Sequence, residues 1–257
     1  MAVAQIDELF VQALTGDYDD DAPWEAVGKL RNLGTRQVYE RAAEWCISSD
    51  PLKRARGADV LAQIGRTSEH PQNNFGEESY AVVSRLAQHE KEPLPLSAAI
   101  HALGHIGNPL AVPLVIQNCS HDNANVRFAV ACALGKFADD HRAVQALIAL
   151  MEDPDGGVRD WATFGLGVLG DGDSTEIREA LLKRTTDPDS NARGEAFVAL
   201  ASRKEPRAIP VLIAELNQGE LSDHLREAAE SFLGDREEFA GWGPHDFAEA
   251  LRRRFPP

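Results

Sequence analysis

Cysteine and basic residues are both scarce in this sequence. The cysteines are Cys46, Cys119 and Cys132, an odd number without Cys-x-x-Cys spacing, which argues against a disulfide framework and a structural zinc site. Lysine and arginine number 26 against 41 aspartates and glutamates, so the formal net charge is −15. A surface of this charge repels nucleic acid and anionic membranes, and we therefore expect neither as a partner.

A basic leader and long hydrophobic runs are also lacking. The first ten residues carry Asp7 and Glu8 inside an apolar pattern, which predicts that they do not form a signal peptide. No apolar run reaches the length that a membrane-spanning helix needs. We therefore expect the protein to be located in the cytoplasm.

What the sequence does contain is a repeat. Six leucines recur at steps of 31 to 34 residues after a first step of 42: Leu61, Leu103, Leu134, Leu166, Leu200 and Leu233. Five of them follow an arginine by seven positions, and we call these arginines the arginine ladder: Arg54, Arg127, Arg159, Arg193 and Arg226. In the copy that ends at Leu103, Leu96 takes the place of the arginine. A period in the low thirties with a helical pattern predicts stacked helical hairpins rather than one globular core.

The predicted fold is all-α, a right-handed α-solenoid of about seven stacked helical hairpins that forms one domain over residues 1–257. Residues 1–48 are expected to form an N-terminal cap and a degenerate first repeat, and residues 49–217 the regular repeats. Residues 218–257 are expected to form the C-terminal repeat and a capping helix. The polar stretch 66–79, which contains Pro and Gly, predicts a loop insertion that explains the long first step.

Four positions before each ladder arginine stands a residue that is well suited to cap a helix N-terminus. These residues are Asp50, Asn123, Asp155, Asp189 and Ser222. Asp153 and Asp187 stand two residues before two of the caps, and each is a candidate to accept a guanidinium from a neighbouring repeat. We interpret the arginine ladder as structural. The alternative is a row of arginines that binds a ligand.

The repeats resemble HEAT repeats, specifically the short bacterial kind named after phycobilisome lyases. Their pattern, Asp-Pro-Asp-x-x-Val-Arg-x-x-Ala-x-x-Ala-Leu-Gly-x-Leu-Gly-Asp, is matched most closely by residues 153–171. Weaker matches lie at 122–139, 187–204 and 50–65, and the resemblance extends from about residue 23 to 235. The resemblance implies a fold in which the arginine-bearing helix of each repeat lines the concave face. It implies no single function, because the family includes scaffolds, adaptors, bilin lyases and a few enzymes.

On such a helix, the positions two, five and nine residues after the arginine share one stripe. If the arginine-bearing helices are concave, this stripe is a candidate partner-binding surface. Its chemistry-bearing members are Trp161, Phe164, Val168, His101, His105, Arg56, Lys136 and Cys132. Trp161, Phe164 and Val168 come from one repeat and would be exposed on a monomer, where rigid aromatics are typical anchors for a protein partner. The alternative is that Trp161 and Phe164 belong to the core.

Part of the same stripe has metal-binding chemistry. His101 and His105 are four residues apart and therefore lie on one helical turn, and Cys132 of the next repeat is a possible third ligand. No Glu stands between the histidines in the metalloprotease pattern, and one His pair arises easily by chance. We therefore predict no metal and no cofactor.

The sequence contains no recognisable catalytic constellation, so no catalytic residue is predicted. We expect a non-catalytic scaffold or adaptor that binds a protein or peptide in a concave groove. The acidic charge suggests either a basic partner or simple solubility. The alternative, which rests on the resemblance, is a bilin-lyase-like chaperone or enzyme that holds a tetrapyrrole in the groove.

Overall fold

The computed structural model describes residues 3–234 and 239–256. The chain divides into two compact units, residues 1–137 and 138–257. Every regular element among the described residues is helical, so the predicted all-α fold is confirmed. The assignment of residues 1–257 to a single domain stays a prediction.

Unit 1 contains eight α-helices and two 3-10 turns among its described residues. The helices are α1 (Val3–Gln12), α2 (Asp21–Leu33), α3 (Arg36–Trp45), α4 (Pro51–Ala62), α5 (Gly76–His89), α6 (Pro93–Ile106), α7 (Val112–Ile116) and α8 (Ala124–Leu134). The 3-10 turns are Pro109–Ala111 and Gly135–Phe137. Helices α4, α6 and α8 stack on one another, while α3, α5 and α7 pack against α4, α6 and α8 respectively. The core therefore follows the stacked row.

Unit 2 repeats this arrangement. Its described helices are α9 (His141–Leu150), α10 (Gly156–Phe164), α11 (Thr175–Arg184), α12 (Ser190–Ser202), α13 (Ile209–Leu216), α14 (Asp223–Leu233) and α15 (Pro244–Arg254), with a π-helical turn at Gly165–Leu169 and a 3-10 turn at Pro206–Ala208. Helices α10, α12 and α14 stack on one another. These are the arginine-bearing helices of the sequence pattern. Beyond α14, Phe247 of α15 is fully buried, with ring centroids 5.3 Å from Trp242 and 5.6 Å from Phe239.

The predicted N-caps are confirmed. The side chains of Asp50, Asn123, Asp155, Asp189 and Ser222 each accept a hydrogen bond from a backbone N–H in the first turn of the following helix. Those N–H groups have no partner inside the helix, so each cap satisfies a donor that burial would otherwise penalise. The caps therefore define where α4, α8, α10, α12 and α14 begin, whereas α6 begins without a side-chain cap.

The ladder arginines hold the turns that precede their helices. In Arg54, Arg127, Arg159 and Arg193, Nη1 donates to the two backbone carbonyls six and five residues earlier, over 2.8 to 3.2 Å. Three of the guanidinium groups also reach a carboxylate near the following repeat: Arg54 binds Glu90, Arg159 binds Asp187 and Arg193 binds Glu215. Arg226 lies over the ring of Phe247, 5.7 Å from its centroid. The predicted pairing of Asp187 with a neighbouring repeat is therefore confirmed.

Close helix stacking depends on small residues in the inner row. A Cβ added at Gly104 of α6 would lie 2.7 Å from the Cα of Ala133 in α8. Carbon atoms cannot approach so closely without repulsion, so the backbone spacing of these two helices requires a glycine there. The abundance of alanine in the stacked helices has the same cause, because small side chains let helix axes lie close together.

The loop between α4 and α5 is shorter than the sequence predicted. Residues 66–79 were expected to form a loop, but α5 begins at Gly76, so the final part of that stretch is helical. The loop is fixed by its asparagines: Asn73 Nδ2 donates to the carbonyl of Leu61 over 2.7 Å, and Asn74 Nδ2 donates to that of Gly34 over 3.0 Å. These bonds connect the insertion to α4 and to Gly34 at the end of α2.

Candidate partner-binding surface

The predicted aromatic row lies on α10 and the π-helical turn that follows it in unit 2. Trp161 and Phe164 are half-buried and meet edge to face, with ring centroids 5.5 Å apart. Val168 is 42% exposed and the adjacent Leu169 is 38% exposed. The row is therefore partly buried. One side of the two rings packs against the protein, and the other side is accessible.

Arg203 holds the backbone beneath this row. Its guanidinium donates to the carbonyls of Gly167, Gly170 and Gly172 over 2.7 to 2.9 Å. These carbonyls lie in or just after the π-helical turn, where regular α-helical hydrogen bonding is interrupted. Arg203 therefore supplies the missing donors and fixes the turn that presents Val168. Sequence reasoning missed this residue, because it lies outside the repeated arginine position.

A pocket of about 430 Å³ adjoins the exposed end of the row. Val168 of the π-helical turn, Val198 and Ser202 of α12, and Glu227 of α14 contribute to its wall. Val198 and Ser202 stand five and nine positions after Arg193, so they belong to the predicted stripe of the next repeat. The pocket therefore connects the stripe residues of α10 and α12, and α14 contributes Glu227 to its wall.

Acidic groups accompany the aromatic row. Burial, with a smaller contribution from the carboxylates of Glu195 and Asp189, raises the pKa of Asp160 to about 6, while His224 opposes them. Burial also raises the pKa of Glu195, although His224 Nε2 lies 3.1 Å from its Oε1. A carboxylate that burial withdraws from water is stabilised by an added positive charge. The stretch of α10, α12 and α14 that carries Trp161, Phe164, Val168, Asp160 and Glu195 is hereafter called the aromatic–acidic face.

In unit 1, the predicted stripe residues of α6, α8 and the 3-10 turn after it have a different character. His101 is half-buried with its ring centroid 6.2 Å from that of Phe128, and burial lowers its pKa to about 4. His105 is exposed, Cys132 is half-buried and Lys136 is exposed. Of these four stripe residues, Lys136 therefore has the side chain that is both charged at neutral pH and open to solvent.

Arg56 does not lie on an accessible surface, and its assignment to the partner-binding stripe is corrected here. Its side chain is 1% exposed. The segment between α1 and α2 covers it: Arg56 Nε donates to the carbonyl of Ala13 over 3.0 Å, and Nη2 donates to that of Tyr18 over 2.7 Å. The Tyr18 hydroxyl donates in turn to the carboxylate of Asp59 over 2.9 Å. The chain's own N-terminal segment therefore occupies this part of the stripe.

The candidate metal ligands are not gathered into a site. Throughout the part of the chain that the structure describes, no three His, Cys, Asp or Glu side chains are close enough to hold one metal ion. His101, His105 and Cys132 therefore do not form the three-ligand group that their spacing allowed.

Comparison with known proteins agrees with this architecture. Residues 80–167 match the family model of HEAT repeats. That segment therefore matches HEAT repeats, and the stacked helical hairpins before and after it have the same helical-hairpin architecture.

Two relatives extend the similarity beyond that segment. The chain is 28% identical over 236 residues to protein YibA of Escherichia coli, covering 90% of this chain and 81% of YibA. It is 29% identical over 153 residues to an uncharacterized phycocyanin operon protein Z of Pseudanabaena tenuis, covering 56% of this chain and 74% of that protein. The X-ray structure of Escherichia coli YibA superposes with a TM-score of 0.70 at 24% identity, covering 98% of this chain and 87% of that one. This superposition shows the shared fold.

The helices also bear on membrane association. Among residues 3–234 and 239–256, no helix combines the length and the apolar character that crossing a membrane requires.

Proposed function

We propose that this protein is a non-catalytic scaffold or adaptor that works in the cytoplasm and binds a basic protein or peptide segment through the aromatic–acidic face of unit 2. The observation that carries the proposal is the combination on one face of half-exposed aromatic rings and partly buried carboxylates. Each element alone has an ordinary structural explanation, but together they match a segment that carries both apolar and cationic side chains.

The apolar part of the face fits an anchoring role. Trp161 and Phe164 are held edge to face, so little rotational freedom is lost when a partner covers them. Val168 and Leu169 extend the apolar surface to the neighbouring pocket. An arginine or lysine placed over the exposed side of either ring would add a cation–π contact of about 0.5 to 2 kcal/mol.

The acidic part of the face selects the charge of the partner. Burial raises the pKa of both Asp160 and Glu195, and repulsion from Glu195 raises that of Asp160 further. A guanidinium or ammonium group between them would relieve that repulsion, whereas an acidic partner would increase it. The net charge of −15 adds long-range attraction for the same kind of partner.

Tetrapyrrole binding, the alternative that the family resemblance raised, is supported by the similarity to phycocyanin operon protein Z. That function would use ladder arginines to pair with the propionates. Arg54, Arg159 and Arg193 already hold carboxylates and backbone carbonyls within the fold, so their donors are engaged. The contacts therefore favour the peptide-binding function.

A peptide-display selection on the immobilised full chain tests the proposal. We expect the enriched peptides to combine Arg or Lys with a large apolar residue. Trp161→Ala with Phe164→Ala should weaken binding of a selected peptide by about 2 kcal/mol or more, the loss expected for a central aromatic anchor. Asp160→Asn with Glu195→Gln should weaken basic peptides selectively.

The matched control is Asp139→Asn, which removes an exposed carboxylate outside the aromatic–acidic face and should leave binding unchanged. Binding should also weaken as the pH falls from 7.5 to 5, because protonation of Asp160 near pH 6 removes its charge. Selected peptides that bind all variants equally, or that show no preference for basic residues, would contradict the proposal.

A further inference from the structure

A second groove lies in unit 1, on helices that the aromatic–acidic face does not include. It has a volume of about 1130 Å³ and lies between α3 and α5. These two helices pack against α4 and α6 of the stacked row, so the groove is on the side of the unit that α3 and α5 form. The groove therefore belongs to a separate surface.

The floor of the groove is mostly aliphatic. Ala43 and Ile47 of the α3 side face Ala81, Val82 and Leu86 of α5 across it. Ile47 is 81% exposed, the highest exposure of any large hydrophobic residue among those described, and Ala81 is also exposed. A solvent-exposed aliphatic floor of this size is typical of a surface that another apolar surface covers.

The two rims of the groove carry opposite charges. Glu40 and Glu44 stand one helical turn apart on α3, and both are exposed. Arg85 and His89 stand one turn apart on α5, and both are exposed as well. Glu44 has a partner, since Arg41 Nη1 lies 3.7 Å from its carboxylate, but both groups are largely solvated and the pair is weak.

The α5 wall also carries Glu78 and Glu90, but Glu78 pairs with Arg36 and Glu90 pairs with Arg54. Within the described residues, Arg85 forms no ion pair, so it is the cation that the α5 rim offers to a partner.

The dimensions of the groove match a short helix. Its walls run from Tyr39 to Ile47 and from Glu78 to Glu90. At 1.5 Å per helical residue, these walls are about 12 and 18 Å long, which is the length of two to three helical turns. An amphipathic helix placed in such a groove buries its apolar seam and exposes its two flanks to the rims.

From this geometry we infer that the α3–α5 groove binds an amphipathic helix of a partner protein, with basic side chains on one flank of its apolar seam and acidic side chains on the other. The basic flank lies against Glu40 and Glu44, and the acidic flank lies against Arg85 and His89. The aliphatic seam lies on Ile47, Val82 and their neighbours. This surface shares no residue with the aromatic–acidic face, so it is a second binding surface.

The probes are three synthetic fluorescent peptides that form the same helix with the same Leu and Ala seam. One has a Lys flank and a Glu flank, the second has two Lys flanks, and the third has two Glu flanks. Fluorescence anisotropy with the full-length protein measures their binding. We expect the mixed peptide to bind more tightly than either single-charge peptide. Reversing the helix exchanges its flanks, so the mixed peptide satisfies both rims in one of the two directions and binds in that direction.

Two variants locate the binding and test its charge rule. Ile47→Glu places a charge on the floor at a position exposed enough to tolerate it, and should weaken the mixed peptide about tenfold or more. Arg85→Glu with His89→Glu makes both rims acidic and should reverse the preference in favour of the peptide with two Lys flanks. Trp161→Ala with Phe164→Ala is the matched control: it should leave the affinity of the mixed peptide for the groove unchanged and remove only what the peptide with two Lys flanks gains at the aromatic–acidic face, which separates this inference from the proposed function.

Three outcomes would overturn the inference. The first is no binding of the mixed peptide at peptide concentrations of about 1 mM. The second is tighter binding of the peptide with two Lys flanks than of the mixed peptide to the Trp161→Ala, Phe164→Ala variant, because the net charge alone would then attract it. The third is self-association in sedimentation velocity that Ile47→Glu abolishes, because the groove would then be occupied by a second copy of this chain.

Discussion

The buried carboxylate of Asp187 in unit 2 leads to the sharpest prediction about stability. Arg159 Nε and Nη2 each donate to one of its oxygens over 2.8 Å, and Arg184 Nη1 donates to Oδ2 over 2.8 Å. The backbone N–H of Asp189 donates to Oδ1 over 2.8 Å. Asp187 is 3% exposed, so water cannot replace these bonds when its carboxylate is removed.

We predict that Asp187→Ala lowers the free energy of unfolding by about 3 to 5 kcal/mol, the usual cost of removing one partner of a buried ion pair. The loss is large because Arg159 and Arg184 keep their charges after the carboxylate is gone. Arg184 retains Glu152, whose carboxylate lies 3.1 Å from its Nη2, so Arg159 is the more affected of the two. The matched control is Glu179→Ala, which breaks an ion pair with Arg207 whose side chains are both about half exposed and should cost under about 1 kcal/mol.

The pH dependence of this effect follows from the pKa of Asp187. Burial alone would raise that pKa, but the hydrogen bonds from Arg159 and from the Asp189 backbone lower it below its ordinary value. A carboxyl whose pKa is lowered by folding contributes stability that is fully present above the unfolded-state pKa of about 4 and is lost as the pH falls below it. The difference in stability between wild type and Asp187→Ala should therefore shrink between pH 4 and the acid limit of folding.

Urea unfolding followed by circular dichroism measures both effects, at pH 7 and at pH 3. The reasoning would be refuted by an Asp187→Ala variant that is no less stable at pH 7 than Glu179→Ala. A difference from wild type that stays constant between the two pH values would refute the assigned pKa direction while leaving the packing argument intact.

Three further predictions concern stability and are measured by the same urea titrations. Asp160→Asn should stabilise the free protein, because it removes a carboxylate whose pKa is raised by burial and by repulsion from Glu195 and Asp189. The same change weakens the binding of basic peptides. A loss of stability would contradict this assignment. Gly104→Ala should destabilise unit 1 by about 1 to 3 kcal/mol through overlap with Ala133, whereas Gly28→Ala, with open space around it, should be neutral or stabilising by about 1 kcal/mol. Arg56→Met should cost about 3 kcal/mol or more, since it removes the cation beside the buried carboxylate of Asp59 and the donor to the carbonyls of Ala13 and Tyr18, and a change under about 1 kcal/mol would refute that role.

The repeat architecture could be predicted because its signals are local. A leucine, an arginine seven residues earlier and a cap four residues before that arginine all lie within one helix and its preceding turn. The cap at Asp155 and the donation from Arg159 to the carbonyls of Asp153 and Pro154 span at most six residues. Such contacts depend on sequence spacing, and the repeat therefore shows them directly.

The candidate site was predicted less completely. The spacing placed Trp161, Phe164 and Val168 on one stripe, and the structure shows them together and partly exposed. The spacing did not reveal Arg203, which holds the π-helical turn through carbonyls more than 25 residues away in the sequence. Asp160, which directly precedes Trp161 in the sequence, indicated that this face is acidic. Its interaction with Glu195 could not be predicted, because it depends on how α10 and α12 pack.

The sequence by itself determined the helical repeat, the boundaries of the stacked helices and the face of each helix that carries large or polar side chains. Tertiary structure alone decided which parts of those faces are covered. Arg56 and Trp161 hold the same position relative to their ladder arginines, yet Arg56 is buried beneath the segment between α1 and α2, while Trp161 stays half-exposed. Helical periodicity fixes the direction of a side chain within its own helix. What lies in front of that side chain depends on the packing of segments that are distant in the sequence.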